Sequence, residues 1–118
     1  MFAKSFLLVT MGALASAQTF VGFPNSLTCK TAGGTATLSK TEVQNGIVGP
    51  KGLKIDDSAA NVASGDCSTL SKIPLFSQTV DGKGDVSFAF DQSTNTYHFC
   101  SADGAIDASG FQSSCTEN

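Results

Sequence analysis

Arginine and tryptophan are missing from this chain, and histidine and tyrosine occur once each, as His98 and Tyr97. Without arginine there is no planar guanidinium fork to hold a phosphate through two parallel bonds. Cations are scarce altogether: seven lysines stand against ten carboxylates, for a formal charge of −3. An acidic protein gains nothing from the counterion release that drives general nucleic-acid binding. Both deficits count against broad binding to RNA or to a membrane surface. No Cys-x-x-Cys pair occurs, and one histidine is the only other soft ligand. A zinc site is therefore not expected, and no motif asks for a cofactor. No Asn-x-Ser/Thr sequon is present, so N-glycosylation is not expected. No apolar run reaches the roughly 20 residues that a membrane-crossing helix takes.

What is present begins with a targeting pattern. Residues 1–17, MFAKSFLLVTMGALASA, place Lys4 before an apolar run from Phe6 to Leu14 and end on Ala15-Ser16-Ala17. A basic start, a short apolar stretch and a small-x-small end make a secretory signal peptide. The expected location is secreted and extracellular. Removing the first 17 of 118 residues leaves 101, starting at Gln18, with six lysines against ten carboxylates. An N-terminal glutamine can cyclise. About one hundred residues make one domain with a modest core, and the expected domain is residues 18–118.

Cys29, Cys67, Cys100 and Cys115 all lie in the mature part. An even number of cysteines in an oxidising compartment reads as a disulfide framework. Four cysteines allow three pairings. The expected one is Cys29–Cys115, tying the ends, with Cys67–Cys100 inside.

The segment 18–30 reads as an extended opening stretch or edge strand, with Phe20 and Phe23 around Gly22. Gly33-Gly34 marks a turn; it lacks the strand–GxxxxGK[ST]–helix setting of a phosphate loop. Ser39 and Glu42 form a capping box, with Leu38 and Val43 at the staple positions. The helix should run over about residues 40–48, with Val43 and Ile47 facing the core. Gly46 weakens it, and Gly49-Pro50 ends it. Leu53-Lys54-Ile55 reads as a short strand. Asp56-Asp57 is a tempting carboxylate pair, but adjacent loop residues face apart into water, so a solvated turn is expected.

The second half reads as β. Residues 72–76, KIPLF, form a strand that Pro74 confines to an edge or bulge. Asp81-Gly82 is a turn signal. Val86, Phe88 and Phe90 alternate with Ser87 and Ala89, the period of a half-buried strand. Residues 91–95 make a five-residue hairpin loop before a return strand, 96–100. On that strand Tyr97 and Phe99 share one face, His98 and Cys100 the other. The tail, 101–118, reads as loop pinned by Cys115, with Phe111 plugging into the core. The fold class is α+β: one short helix packed on a twisted antiparallel sheet, with two disulfides.

The stretch IPLFSQTVDGKGDVSFAFDQSTNTYHFCSADG, followed by SGFQSSC, resembles the carboxyl half of the small secreted guanyl-specific ribonucleases of fungi. TCKTAGGTATLSKTEVQNGI is similar to that family's amino-terminal cysteine, Gly-rich hairpin and single helix. The resemblance spans about residues 27–115 and rests on element order and small motifs. It implies one helix on a four- or five-stranded antiparallel sheet. It also implies phosphodiester transfer by a glutamate or histidine base, a histidine acid and an arginine for the phosphate.

Almost none of that set carries over. No Tyr-Pro-His or Glu-Gly-Phe segment stands between residues 50 and 72. Where the arginine is expected, at the start of the strand 86–90, stand Asp85, Val86 and Ser87. Where the acid histidine is expected stand Ser101, Ala102 and Asp103. His98 lies earlier, inside a strand, where the family places no catalytic residue. It is expected to be a sheet residue, because acid–base cleavage needs a second titrating partner within reach. No catalytic residue is assigned.

Many secreted proteins of plant-associated fungi resemble this family, lack its catalytic residues and are treated as candidate effectors. The expectation that follows is a secreted, non-catalytic interaction protein on a ribonuclease-like scaffold, a monomer whose partner is a host protein or RNA. The alternative is a divergent active ribonuclease using His98, Asp103 or Glu42 with a lysine such as Lys83. An unrelated cell-wall or antimicrobial protein is a third reading. The acidic balance speaks against a membrane-disrupting one.

Overall fold

The computed structural model describes residues 18–63, 65–106 and 110–118. Residues 1–17, where the signal peptide is expected, lie outside them. Among the described residues, nine strands, one α-helix and two short 3₁₀ turns follow in order: β1 (Thr19–Val21), β2 (Ser26–Thr31), β3 (Gly34–Ser39), α1 (Lys40–Ile47), β4 (Leu53–Asp56), β5 (Leu75–Val80), β6 (Gly84–Asp91), β7 (Thr96–Ile106), β8 (Gln112–Ser114) and β9 (Thr116–Glu117), with the 3₁₀ turns at Ala59–Asn61 and Gly65–Cys67. The architecture is α+β, with the helix packed on an antiparallel-rich sheet.

The helix starts where its cap demands. Ser39 Oγ accepts from the Glu42 amide at 3.0 Å, and Glu42 Oε1 accepts from the Ser39 amide at 3.2 Å. This closes the reciprocal capping box. The helix stops at Ile47, because Val48 turns extended and Gly49 takes a φ of +105°. Val43 and Ile47 are buried, one turn apart. Gly46 costs helix propensity, but a Cβ there would meet Val80 Cγ1 at 2.8 Å. The missing side chain lets α1 lie directly on β5.

The main sheet runs β1-β7-β6-β5-β4, with β8 pairing β7 farther along that strand. All pairs are antiparallel except β1 with β7, which is parallel. A second sheet, β3-β2-β9, is built on the hairpin turned by Ala32 and Gly33. It crosses the main sheet where two glycines leave room, one for the backbone of β2 and the other for the Cys29 sulfur. A Cβ on Gly104 would stand 2.6 Å from Lys30 O, and one on Gly84 would stand 2.9 Å from Cys29 Sγ.

Two hydrophobic clusters result, one on each face of the main sheet. The larger gathers Leu27, Leu38, Val43, Ile47, Val80, Val86, Phe88, Tyr97, Phe99 and the Cys29–Cys115 bridge. Burying one such aromatic or aliphatic side chain contributes about 1.5–3 kcal/mol. The smaller gathers Ala59, Cys67, Leu75 and Ala89, with Leu70, Ile73 and Cys100 packed against it. The Cys67–Cys100 bridge runs through it. Both disulfides are the pairing expected from the sequence.

Several sequence expectations are corrected. The strand expected at 72–76 begins at Leu75 and runs on to Val80. Lys72 adopts a φ of +65°, and Pro74 stays outside the strand while its carbonyl accepts from the Phe90 amide. The hairpin loop is four residues, Gln92–Asn95, because Asp91 still belongs to β6. The described residues of the tail are mostly strand rather than loop. β7 continues to Ile106, and residues beyond it add β8 to β7 and β9 to β2. Ala102 and Gly104 read as loop residues, but they are small because β2 crosses there. Phe111 is 75 % exposed rather than plugged into the core. That core is already filled by Phe20, Phe23, Phe90 and the buried rings around Tyr97.

Candidate functional site

Side chains alternate across a strand, so register decides what each face presents. The face toward α1 carries Phe76, Phe88 and Phe99 in one cross-strand row. The opposite face carries three rows. Leu75, Ala89 and His98 form the first, Ser77, Ser87 and Ser101 the second, and Thr79, Asp85 and Asp103 the third. A bulge in β7, where Cys100 is the extra residue opposite the Ser87–Phe88 step, keeps Ser101 and Asp103 on this face. The first row is covered by the smaller cluster and its disulfide. The serine and aspartate rows are half-buried and polar.

These rows hold the positions at which the ribonuclease resemblance expects its arginine and acid histidine. Of the residues expected there, Asp85 and Ser87 pair with Asp103 and Ser101 on this face, while Val86 and Ala102 pair with each other on the buried face. Asp85 is engaged: Oδ1 accepts from Thr79 Oγ1 at 2.6 Å, and Oδ2 from Gln112 Nε2 at 2.8 Å. Partial burial raises the Asp103 pKa above its ordinary value, and the neighbouring Asp85 charge adds to this. No lysine belongs to these rows. A groove of about 430 Å³ opens at their end, lined in part by Lys30, Lys83, Asp85, Ile106 and Gln112.

His98 stands opposite Ala89, between the smaller cluster and the serine row. Among the described residues it forms no ion pair. Asp91 is held below its ordinary pKa first by the Ser93 hydroxyl, and His98 makes only the smallest of its contributions. Asp91 Oδ1 accepts from both Ser93 N and Ser93 Oγ, closing the hairpin turn. With Lys72, Pro74 and Phe90 it lines a second groove, of about 610 Å³. Tyr97 is structural: it is buried, and its hydroxyl accepts from the Gly49 amide at 2.9 Å.

Glu42, Asp81, Asp56 and Asp57 already have partners. Glu42 caps α1 and also meets Lys83 Nζ at 2.8 Å. Its pKa falls to about 2, first through a hydrogen bond from the Asp81 carboxyl, then through Lys83 and the Ser39 amide. Asp81 shifts the opposite way because it shares that proton. This triad ties the helix start to the β5–β6 turn and lies apart from His98. Asp56 accepts from Ser58 N and Asn61 Nδ2, while Asp57 pairs with Lys54 at 2.6 Å. The adjacent pair thus acts as two separate turn contacts.

The serine row was not singled out from the sequence. The alternation in VSFAF already sets Ser87 opposite the phenylalanines, but aligning Ser77 and Ser101 with it takes the strand register. Among the described residues no helix is long and apolar enough to cross a membrane. No family model, no curated protein and no solved structure matches the chain.

Proposed function

We infer that this chain is a secreted, non-catalytic interaction protein on a ribonuclease-like scaffold, an effector-type protein acting on a host protein or RNA. One observation carries the reading: the open polar face presents Ser87 with Asp85, and Ser101 with Asp103, where cleavage would need a cation and a proton donor. Serine hydroxyls do not titrate in the range useful for acid–base work. A developing phosphorane charge would meet two aspartates instead of an arginine, which destabilises the transition state. The signal-peptide pattern and the two disulfides support the secreted part of the reading.

A divergent ribonuclease would need His98, a carboxylate and a lysine in one cleft. Glu42 and Lys83 are bound to each other at the helix start. Lys72 and Asp91 share a groove, but Asp91 is committed to the hairpin turn. The test is RNA cleavage by the oxidised domain, 18–118, beside His98→Ala. The reading expects neither to cut above background. Cutting by the wild type that the variant loses would make the protein an enzyme with a relocated catalytic set.

A further inference from the structure

We propose that Gln18 of the secreted chain closes to a pyrrolidone carboxylate, leaving the mature protein without a free α-amino group. The proposal rests on the secretory reading of residues 1–17, with cleavage after Ala17. Once freed, the α-amino nitrogen attacks Cδ of the glutamine's own side-chain amide. The N–Cδ bond forms and the Cδ–Nε2 bond breaks. The proton lost by the amine leaves with the amide nitrogen as ammonia. Nothing is oxidised or reduced, and no co-reactant is consumed.

The structure leaves Gln18 able to do this. It is exposed and precedes the ladder, which begins with Thr19 paired to Thr96. The first backbone bond of the strand runs from Thr19 N to Asn95 O at 3.1 Å. Ring closure leaves the peptide bond to Thr19 unchanged, so that donor is kept.

The consequence falls on β1. It is a three-residue edge strand whose outer residues, Thr19 and Val21, are exposed. Such a strand holds by few bonds and frays readily. Its one inward residue, Phe20, stacks on Tyr97 with ring centroids 5.4 Å apart and planes at 21°, and meets Phe23 edge-on at 5.5 Å. A free ammonium two residues before Phe20 would give an aminopeptidase its handle. The lactam removes it and so protects the strand that flanks Tyr97. The chain has one tyrosine and no tryptophan, so its intrinsic fluorescence reports this position alone.

The experiment expresses the full chain with its own leader in a secreting eukaryotic host and weighs the product intact. The expected mass is that of residues 18–118 with both disulfides, less one ammonia, with no free end for sequential degradation. A persistent linear Gln18 terminus would overturn the proposal while leaving the secretory reading standing. A different first residue, or an unprocessed Met1, would overturn the proposal and the cleavage reading together. Gln18→Ala, secreted in the same way, supplies the second measurement. Under a general aminopeptidase it should be trimmed toward Pro24, with a change in Tyr97 fluorescence, while the wild type keeps both its mass and its emission. Equal trimming of the two would overturn the proposal.

Discussion

The two faces of the main sheet are closed by different means. Toward α1, the sheet meets a helix, a second sheet and a cluster of large side chains, many of them fully buried. On the reverse, a loop with two 3₁₀ turns covers only one end, through a cluster built of alanine, leucine and a disulfide. The rest of that face stays polar. The difference shows how a chain of this size divides its labour. One face supplies the cooperative core, and the other face is free to vary because little of the stability depends on it.

Each cluster has its own disulfide, and removing them separately should break the comparison most visibly. Cys29 and Cys115 are 86 residues apart and Cys67 and Cys100 are 33 apart. Loop-closure entropy alone gives about 4.6 and about 3.7 kcal/mol respectively. Opening the first bridge also frees β9 and the contact of β2 with Gly84. Cys29→Ala/Cys115→Ala should therefore unfold near ambient temperature in a thermal melt. Cys67→Ala/Cys100→Ala should retain a cooperative transition, with lost amide protection confined to the loop 57–74. Equal melting of the two variants would contradict the division into a main and a satellite cluster.

Truncating one leucine in each cluster sharpens the same point. Leu27→Ala should cost about 3–5 kcal/mol by urea denaturation, because the helix and both sheets hold the cavity open. Leu75→Ala should cost about 2 kcal/mol, because the covering loop can settle into the space. Gly104→Ala is a different probe of the main side. Its new methyl would strike the Lys30 backbone, and overpacking of this kind costs about 1–3 kcal/mol.

The smallest effect belongs to the polar face and carries a sign. The Asp103 pKa is raised in the folded chain, so the unionised form is favoured there. Its penalty is absent below the ordinary value of 3.8 and grows as pH rises through that value to the raised one. Asp103→Asn should melt slightly higher than wild type at neutral pH and at the same temperature in strong acid. A variant that melts lower at neutral pH would mean that the carboxylate has a favourable partner.

Much of the main side was legible in the sequence, since its signals are local. The Ser39–Glu42 box, the Val43/Ile47 spacing and the Val86-Phe88-Phe90 alternation each act within a few residues. The tail was not legible. Gln112–Ser114 and Thr116–Glu117 have no apolar alternation; the first becomes a strand by pairing with the far end of β7 and the second by pairing with β2, on either side of Cys115 and its bond to Cys29. Ala102 and Gly104 read as loop residues, while their size answers to a crossing strand distant in sequence. The candidate face was legible only as the absence of arginine and of a second histidine. Its serine row depends on the register of three strands and on a one-residue bulge.

The most direct test of that face uses a dinucleoside phosphate with the oxidised domain, following transesterification from acid to mildly alkaline pH. A pair of catalytic groups leaves a bell-shaped profile. The rate should stay at the buffer value and not depend on protein concentration at any pH. A bell-shaped rate that rises with protein concentration would show two titrating groups at work, and would contradict the proposal that this face holds no catalytic set.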